Sequence, residues 1–84
     1  MEFKVGDKVK VLREFEGNTH CIGWVGTVIF IRSYIYSEGK TIYVKFDQKF
    51  KNGHDSDGYG IYGYCWNYDE NCLELVNGMS VELI

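Results

Sequence analysis

Residues Asp55 to Tyr68 read Asp-Ser-Asp-Gly-Tyr-Gly-Ile-Tyr-Gly-Tyr-Cys-Trp-Asn-Tyr: five aromatics and three glycines in fourteen positions, with no lysine or arginine. Glycine frees the backbone, and aromatic rings supply large contact area at low rotamer cost. A domain of 84 residues cannot bury five large rings from one segment, so some of them lie on the surface. An exposed aromatic patch is the chemistry of binding. On a regular strand, Tyr62, Tyr64, Trp66 and Tyr68 would share one face by period-two spacing, leaving Ile61, Gly63 and Cys65 on the other. In one reading, half of this ladder is core and the rest packs under the preceding loop. In the other, Tyr59, Tyr62 and Trp66, with Trp24, His54, Asp55 and Asp57, form a groove or partial cage for a peptide, a methylated side chain or a protein loop.

Other residue types could do different chemistry. His54-Asp55-Ser56-Asp57-Gly58 contains Asp-x-Asp-Gly, part of a calcium loop, but no Glu follows until Glu70 and the bidentate ligand is missing. A turn held by Asx hydrogen bonds is the expected structure. His20, Cys21, His54, Cys65 and Cys72 have no Cys-x-x-Cys or His-x3-His spacing, so no metal or other cofactor is expected. An odd count of three cysteines without framework spacing reads as free, reduced thiols in a cytosolic protein. Cys-His catalysis needs an orienting acid, an oxyanion hole and a cleft, so the chain is not expected to be an enzyme. Lys45, Lys49 and Lys51 interleave with Phe46 and Phe50, a basic-aromatic stretch of the kind that nucleic-acid barrels use.

Charge constrains the partner. The net charge is -3, and all nine Lys and Arg fall at or before Lys51. Residues 1–51 carry +3 and residues 52–84 carry -6. The acidic half serves solubility or selects a partner electrostatically, and generic DNA or RNA binding is disfavoured without a net basic face. No apolar run of 18 residues occurs, so no membrane span is expected. The opening Met-Glu-Phe-Lys-Val-Gly-Asp lacks the pattern of a signal peptide.

The elements that must position these residues are short. A hydrophobic content of 45% rules out a disordered chain, and its Val, Ile, Tyr and Phe are β-formers. Strands are predicted over Lys8 to Arg13, Trp24 to Ile31, Thr41 to Asp47, Ile61 to Tyr68 and Cys72 to Val76, with a long polar loop from Gln48 to Gly60 before strand four. In the third, Ile42, Val44 and Phe46 face one way and Tyr43 and Lys45 the other. Asp69-Glu70-Asn71 reads as a turn or one 3₁₀ turn. Asn77-Gly78 signals a hairpin that would return Met79 to Ile84 as a short C-terminal extension over 76–84. No amphipathic helix is evident. The expectation is one all-β domain spanning 1–84, a small five-stranded barrel.

The landmarks Val5-Gly6-Asp7-Lys8-Val9, Gly23-Trp24-Val25-Gly26-Thr27-Val28, Val44-Lys45-Phe46-Asp47 and Leu73-Glu74-Leu75 resemble the SH3-like barrels of the KOW, Tudor-like and Mind-bomb type. Gly53-His54-Asp55, Cys65-Trp66 and Leu73-Glu74-Leu75 also look like small phage and prophage proteins. The chain lacks the Ala-Leu-Tyr-Asp-Tyr opening and the pocket proline of signalling SH3 domains, so proline-rich ligands are not implied. The resemblance implies a non-enzymatic protein-interaction module, phage-encoded and cytoplasmic in a bacterial host. It would bind a host or phage protein through the aromatic and acidic surface, one concrete form being an inhibitor of a host nucleic-acid enzyme. The alternative is a KOW-like nucleic-acid accessory domain working through Lys45, Lys49 and Lys51.

Overall fold

The computed structural model describes residues 2–34 and 39–76. It is all-β: β1 (Lys8–Val11), β2 (Val25–Ser33), β3 (Lys40–Lys45), β4 (Cys65–Asp69) and β5 (Leu73–Leu75), with one 3₁₀ turn, Glu70–Cys72, between the last two. The strands form one antiparallel sheet in the order β4-β3-β2-β1-β5. No described helix is long and apolar enough to cross a membrane. The expected hairpin at Asn77-Gly78 and its return strand lie outside the described residues.

The sheet is strongly curved. Val9 and Val11 of β1, Val28 of β2, Ile42 and Val44 of β3, Tyr68 of β4 and Leu73 of β5 all belong to one buried cluster, so both edges of the sheet reach the same interior. Gly26 explains part of the curvature. A Cβ there would lie 2.6 Å from Val44 Cγ1 and 2.9 Å from Phe46 Cδ1, so β2 passes close to β3 only because nothing projects inward. The turn at Val5-Gly6-Asp7 forms as its sequence predicts. Lys4 N–H donates to Asp7 Oδ2 at 2.8 Å, and Gly6 N–H ties the turn to Val28 O at 2.8 Å.

Three expectations change. First, β4 begins at Cys65 and not at Ile61. Gly63 takes φ +92° and Tyr64 N–H bonds to Ile61 O at 3.1 Å, so Ile61 to Tyr64 turn before the strand starts. Second, Tyr43 does project opposite Ile42 and Val44, as alternation requires, yet it is as buried as they are, at 2% exposure. Third, the segment Gln48 to Gly60 is no free polar insertion. Its Phe50 enters the inner core, and residues 54–60 fold back over the outer face against Tyr43, Asn67 and Cys65.

A bulge in β2 supplies the rest of that outer layer. Val28 pairs with Val44 and Phe30 with Tyr43, leaving Ile29 as an extra residue. The bulge therefore turns both Ile29 and Phe30 outward, and Ile31 returns to the inner cluster.

All three thiols are free and buried, and burial pushes each of them to harder ionisation. Tyr68 is fully buried beside Cys21 and Cys72, and burial likewise drives its hydroxyl well above the usual phenol range. That hydroxyl has only the Cys21 thiol, a weak partner, and no oxygen or nitrogen partner among the described residues. An unsatisfied buried donor costs on the order of 1–3 kcal/mol, so Tyr68→Phe should stabilise the fold, by about 1 kcal/mol. Urea unfolding measures it, and a clear loss of stability would show the hydroxyl to be satisfied.

Candidate partner-binding site

The segment between β3 and β4 positions most of the expected site residues. Phe50 anchors it in the core, and Phe50 N–H donates to Gly63 O at 3.0 Å. His54 then pairs with Cys65 through N–H to O bonds of 3.0 and 3.1 Å, covering the otherwise open edge of β4. Its ring stacks on Trp66 with centroids 4.8 Å apart. Ser56, Asp57 and Gly58 follow with φ of +52°, +59° and +91°, a single left-handed turn. Asp55 O closes the turn by accepting from Gly58 N–H at 3.2 Å and Gly60 N–H at 2.8 Å. The bonds of this turn run to a backbone carbonyl and to His54 Nδ1, which accepts from Ser56 N–H at 2.9 Å, and not to an Asx side chain.

Left-handed backbone at two consecutive non-glycine residues costs about 1–2 kcal/mol each, and side-chain bonds to the sheet compensate. Ser56 Oγ donates to Asn67 Oδ1 at 2.7 Å. Tyr43 OH donates to Asp57 Oδ2 at 2.7 Å while accepting from Arg32 Nε at 2.7 Å. Arg32 Nη2 lies 3.7 Å from the same carboxylate. Burial, with the Asp57 carboxylate next, holds the Tyr43 hydroxyl above its ordinary ionisation range. Beyond the turn, Tyr59 stacks on Phe30 at 4.0 Å and meets the Tyr43 ring edge-on at 5.8 Å.

The expected site residues thus fall into three places. Trp24, Trp66 and His54 belong to a chain of rings linked through Phe50, with Trp24–Phe50 at 5.8 Å and Phe50–Trp66 at 6.3 Å. Trp24 and Trp66 pack against the core, and Trp66 Nε1–H is spent on Phe15 O at 2.9 Å. Asp57 and Tyr59 sit on the outer face with Tyr43 and Arg32, and Asp55 is half-buried inside the turn. Tyr62 joins neither group. The four-ring ladder does not form: Trp66 and Tyr68 share the inner face, whereas Tyr62 and Tyr64 precede the strand.

What stands free is the tip of the loop. Tyr62 is 71% exposed, Ile61 57% and Tyr59 52%. Lys49 lays its stem against Gly63, and Lys45 holds its ammonium 5.7 Å from the Tyr64 ring centroid. Two of the three lysines assigned to a separate nucleic-acid stretch therefore border the aromatic tip. Ile61 was missed as a site residue because it reads as a strand residue. Its exposure follows from the Gly63 turn, which the sequence hints at only through the glycine.

Lys51 lies elsewhere, in a groove of about 230 Å³ at the edge of Trp66. Among the described residues, no group of three His, Cys, Asp or Glu side chains converges as a metal site would. No protein-family model matches this chain, and no curated protein or solved structure matches it.

Proposed function

We propose that this chain is a non-enzymatic protein-binding module on an SH3-like barrel, phage-encoded and acting in a bacterial cytoplasm. Its partner is a host or phage protein, engaged through the loop tip. One observation carries the reading: Tyr59, Ile61 and Tyr62 expose large apolar side chains within four positions, on a loop fixed from beneath by part-buried side-chain bonds. Rings presented on a preorganised support lose little entropy on binding, which is how aromatic anchors dominate interfaces. The strained turn supplies that support. The resemblance to phage proteins supports the host setting.

Affinity capture from a bacterial lysate, followed by binding measurements on the captured partner, tests the proposal. Tyr62→Ala and Ile61→Ala should each weaken binding by about 2 kcal/mol, near thirtyfold, with stability unchanged within about 0.5 kcal/mol. Trp66→Ala should instead unfold the protein more easily, because its ring packs on Phe50 and its N–H holds the 14–20 loop. Unchanged affinity in both tip variants would end the proposal.

Lys45 and Lys49 beside Tyr62 and Tyr64 favour a second reading, single-stranded nucleic acid. Two lysines neutralise few phosphates, so binding would be weak and steeply lost with salt only if further cations took part. Salt-dependent binding of an oligonucleotide, abolished by Lys45→Met with Lys49→Met, would select this reading over the first.

A further inference from the structure

The groove beside Trp66 has its own chemistry. Its walls are the loops around Glu16 and Asn52, and both of these residues adopt left-handed backbone, with φ of +54° and +69°. Thr19, His20, Lys51 and the Trp66 ring complete the lining. At about 230 Å³ it is smaller than the ~300–1,000 Å³ of sites for drug-sized ligands. The loop around Glu16 is held in place by the Trp66 Nε1–H bond to Phe15 O and by Asn18 Oδ1, which accepts from His20 N–H at 2.9 Å and Cys21 N–H at 3.3 Å. The His20 ring, though exposed, meets Trp24 edge-on at 5.3 Å and lies parallel to Phe50 at 6.4 Å. Among the described residues, neither the Lys51 ammonium nor the His20 ring has an ion-pair or hydrogen-bond partner.

Two nitrogen groups with no bonded partner, beside one carboxylate, favour a ligand that carries both a negative charge and an N–H. Glu16 on the same groove disfavours a multiply charged one such as phosphate, and accepts an N–H. A single negative charge with an N–H close by and a small side chain attached describes the last residue of a polypeptide. We propose that this groove captures a peptide C-terminus. Lys51 and His20 take the carboxylate, Glu16 accepts the main-chain N–H of the terminal residue, and the terminal side chain lies on the part of the Trp66 ring that His54 leaves uncovered. The groove and the Tyr59–Tyr62 tip share no residue, so either assignment can fail alone.

Nitrogen-15 NMR tests this with N-acetyl-Ala-Ala-Leu, the same peptide amidated at its C-terminus, sodium acetate and sodium phosphate. The free-acid peptide should shift the Trp66 indole N–H and the amides of Thr19, His20 and Asn52 saturably. The amidated peptide, and Lys51→Met with the free acid, should bind about tenfold or more weakly, the size expected for losing a charged hydrogen bond. Glu16→Gln should weaken the peptide and strengthen phosphate. No saturable shift, or equal binding of the amidated peptide, would overturn the proposal. So would acetate or phosphate binding as tightly as the peptide, since the groove would then read an anion and not a chain end.

Discussion

Phe46→Ala should remove about 3–5 kcal/mol of stability, a large share of the roughly 5–15 kcal/mol that holds a small domain together. Phe46 is fully buried just after β3, where its ring meets Trp24 at 5.4 Å, Phe50 at 5.7 Å and Tyr68 at 6.5 Å. Those three neighbours come from the residue just before β2, from the loop after β3 and from β4. They cannot collapse into the gap together without moving the strands. Gly26 also lies against this ring, so the close approach of β2 to β3 would lose its filling. Urea unfolding is the measurement, and a loss below about 1 kcal/mol, the range of a peripheral contact, would place the ring outside the core.

Gly53→Ala should be the most damaging glycine-to-alanine change among the described residues. The new Cβ would stand 2.3 Å from Gly63 O and 2.7 Å from Gly63 C, both backbone atoms tied down by Phe50 N–H and the His54–Cys65 pair. The clash is with fixed backbone, so we expect about 3 kcal/mol, the upper end of ordinary overpacking. Gly58→Ala is the contrast. Its φ is +91° but no atom lies within 4 Å of the added carbon, so it should cost only the left-handed penalty of about 1–2 kcal/mol. Thermal or urea unfolding of the pair separates the two causes, and equal losses would refute the steric account.

The strands were largely legible from alternation and glycine punctuation, because Val9 and Val11, or Ile42 and Val44, declare their face locally. The start of β4 was not. Ile61, Tyr62 and Tyr64 are all β-formers, and propensity does not register that Gly63 turns the chain. The second buried layer was illegible for a different reason. Tyr43 looks like an outward residue of a half-exposed strand, and only the return of residues 54–60 makes it core. The exposed rings of the candidate surface lie on the segment where the sequence concentrates its aromatics, but charge was counted along the chain. In space, Asp57 is occupied by Tyr43 and Arg32, while Lys45 reaches Tyr64 and Lys49 reaches Gly63 from 14 or more positions away. The Trp66 groove unites loops around Glu16 and Asn52 that carry no shared local signal.

The extra residue at Ile29 divides β2 into two stretches under different substitution rules. From Val25 to Val28, a change at an even or odd position means what alternation from β1 and β3 says it means. From Phe30 onward the parity is inverted, so the same kind of change acts on the opposite face. Straightening the bulge at unchanged length would restore unbroken alternation, turning Phe30 inward and Ile31 outward. It would strip Tyr59 of its stacking partner without touching the binding loop. Deleting Ile29 itself would instead leave Phe30 outward and Ile31 inward, so the faces of the second stretch depend on the bulge and not on the strand pairing, which could form equally well either way.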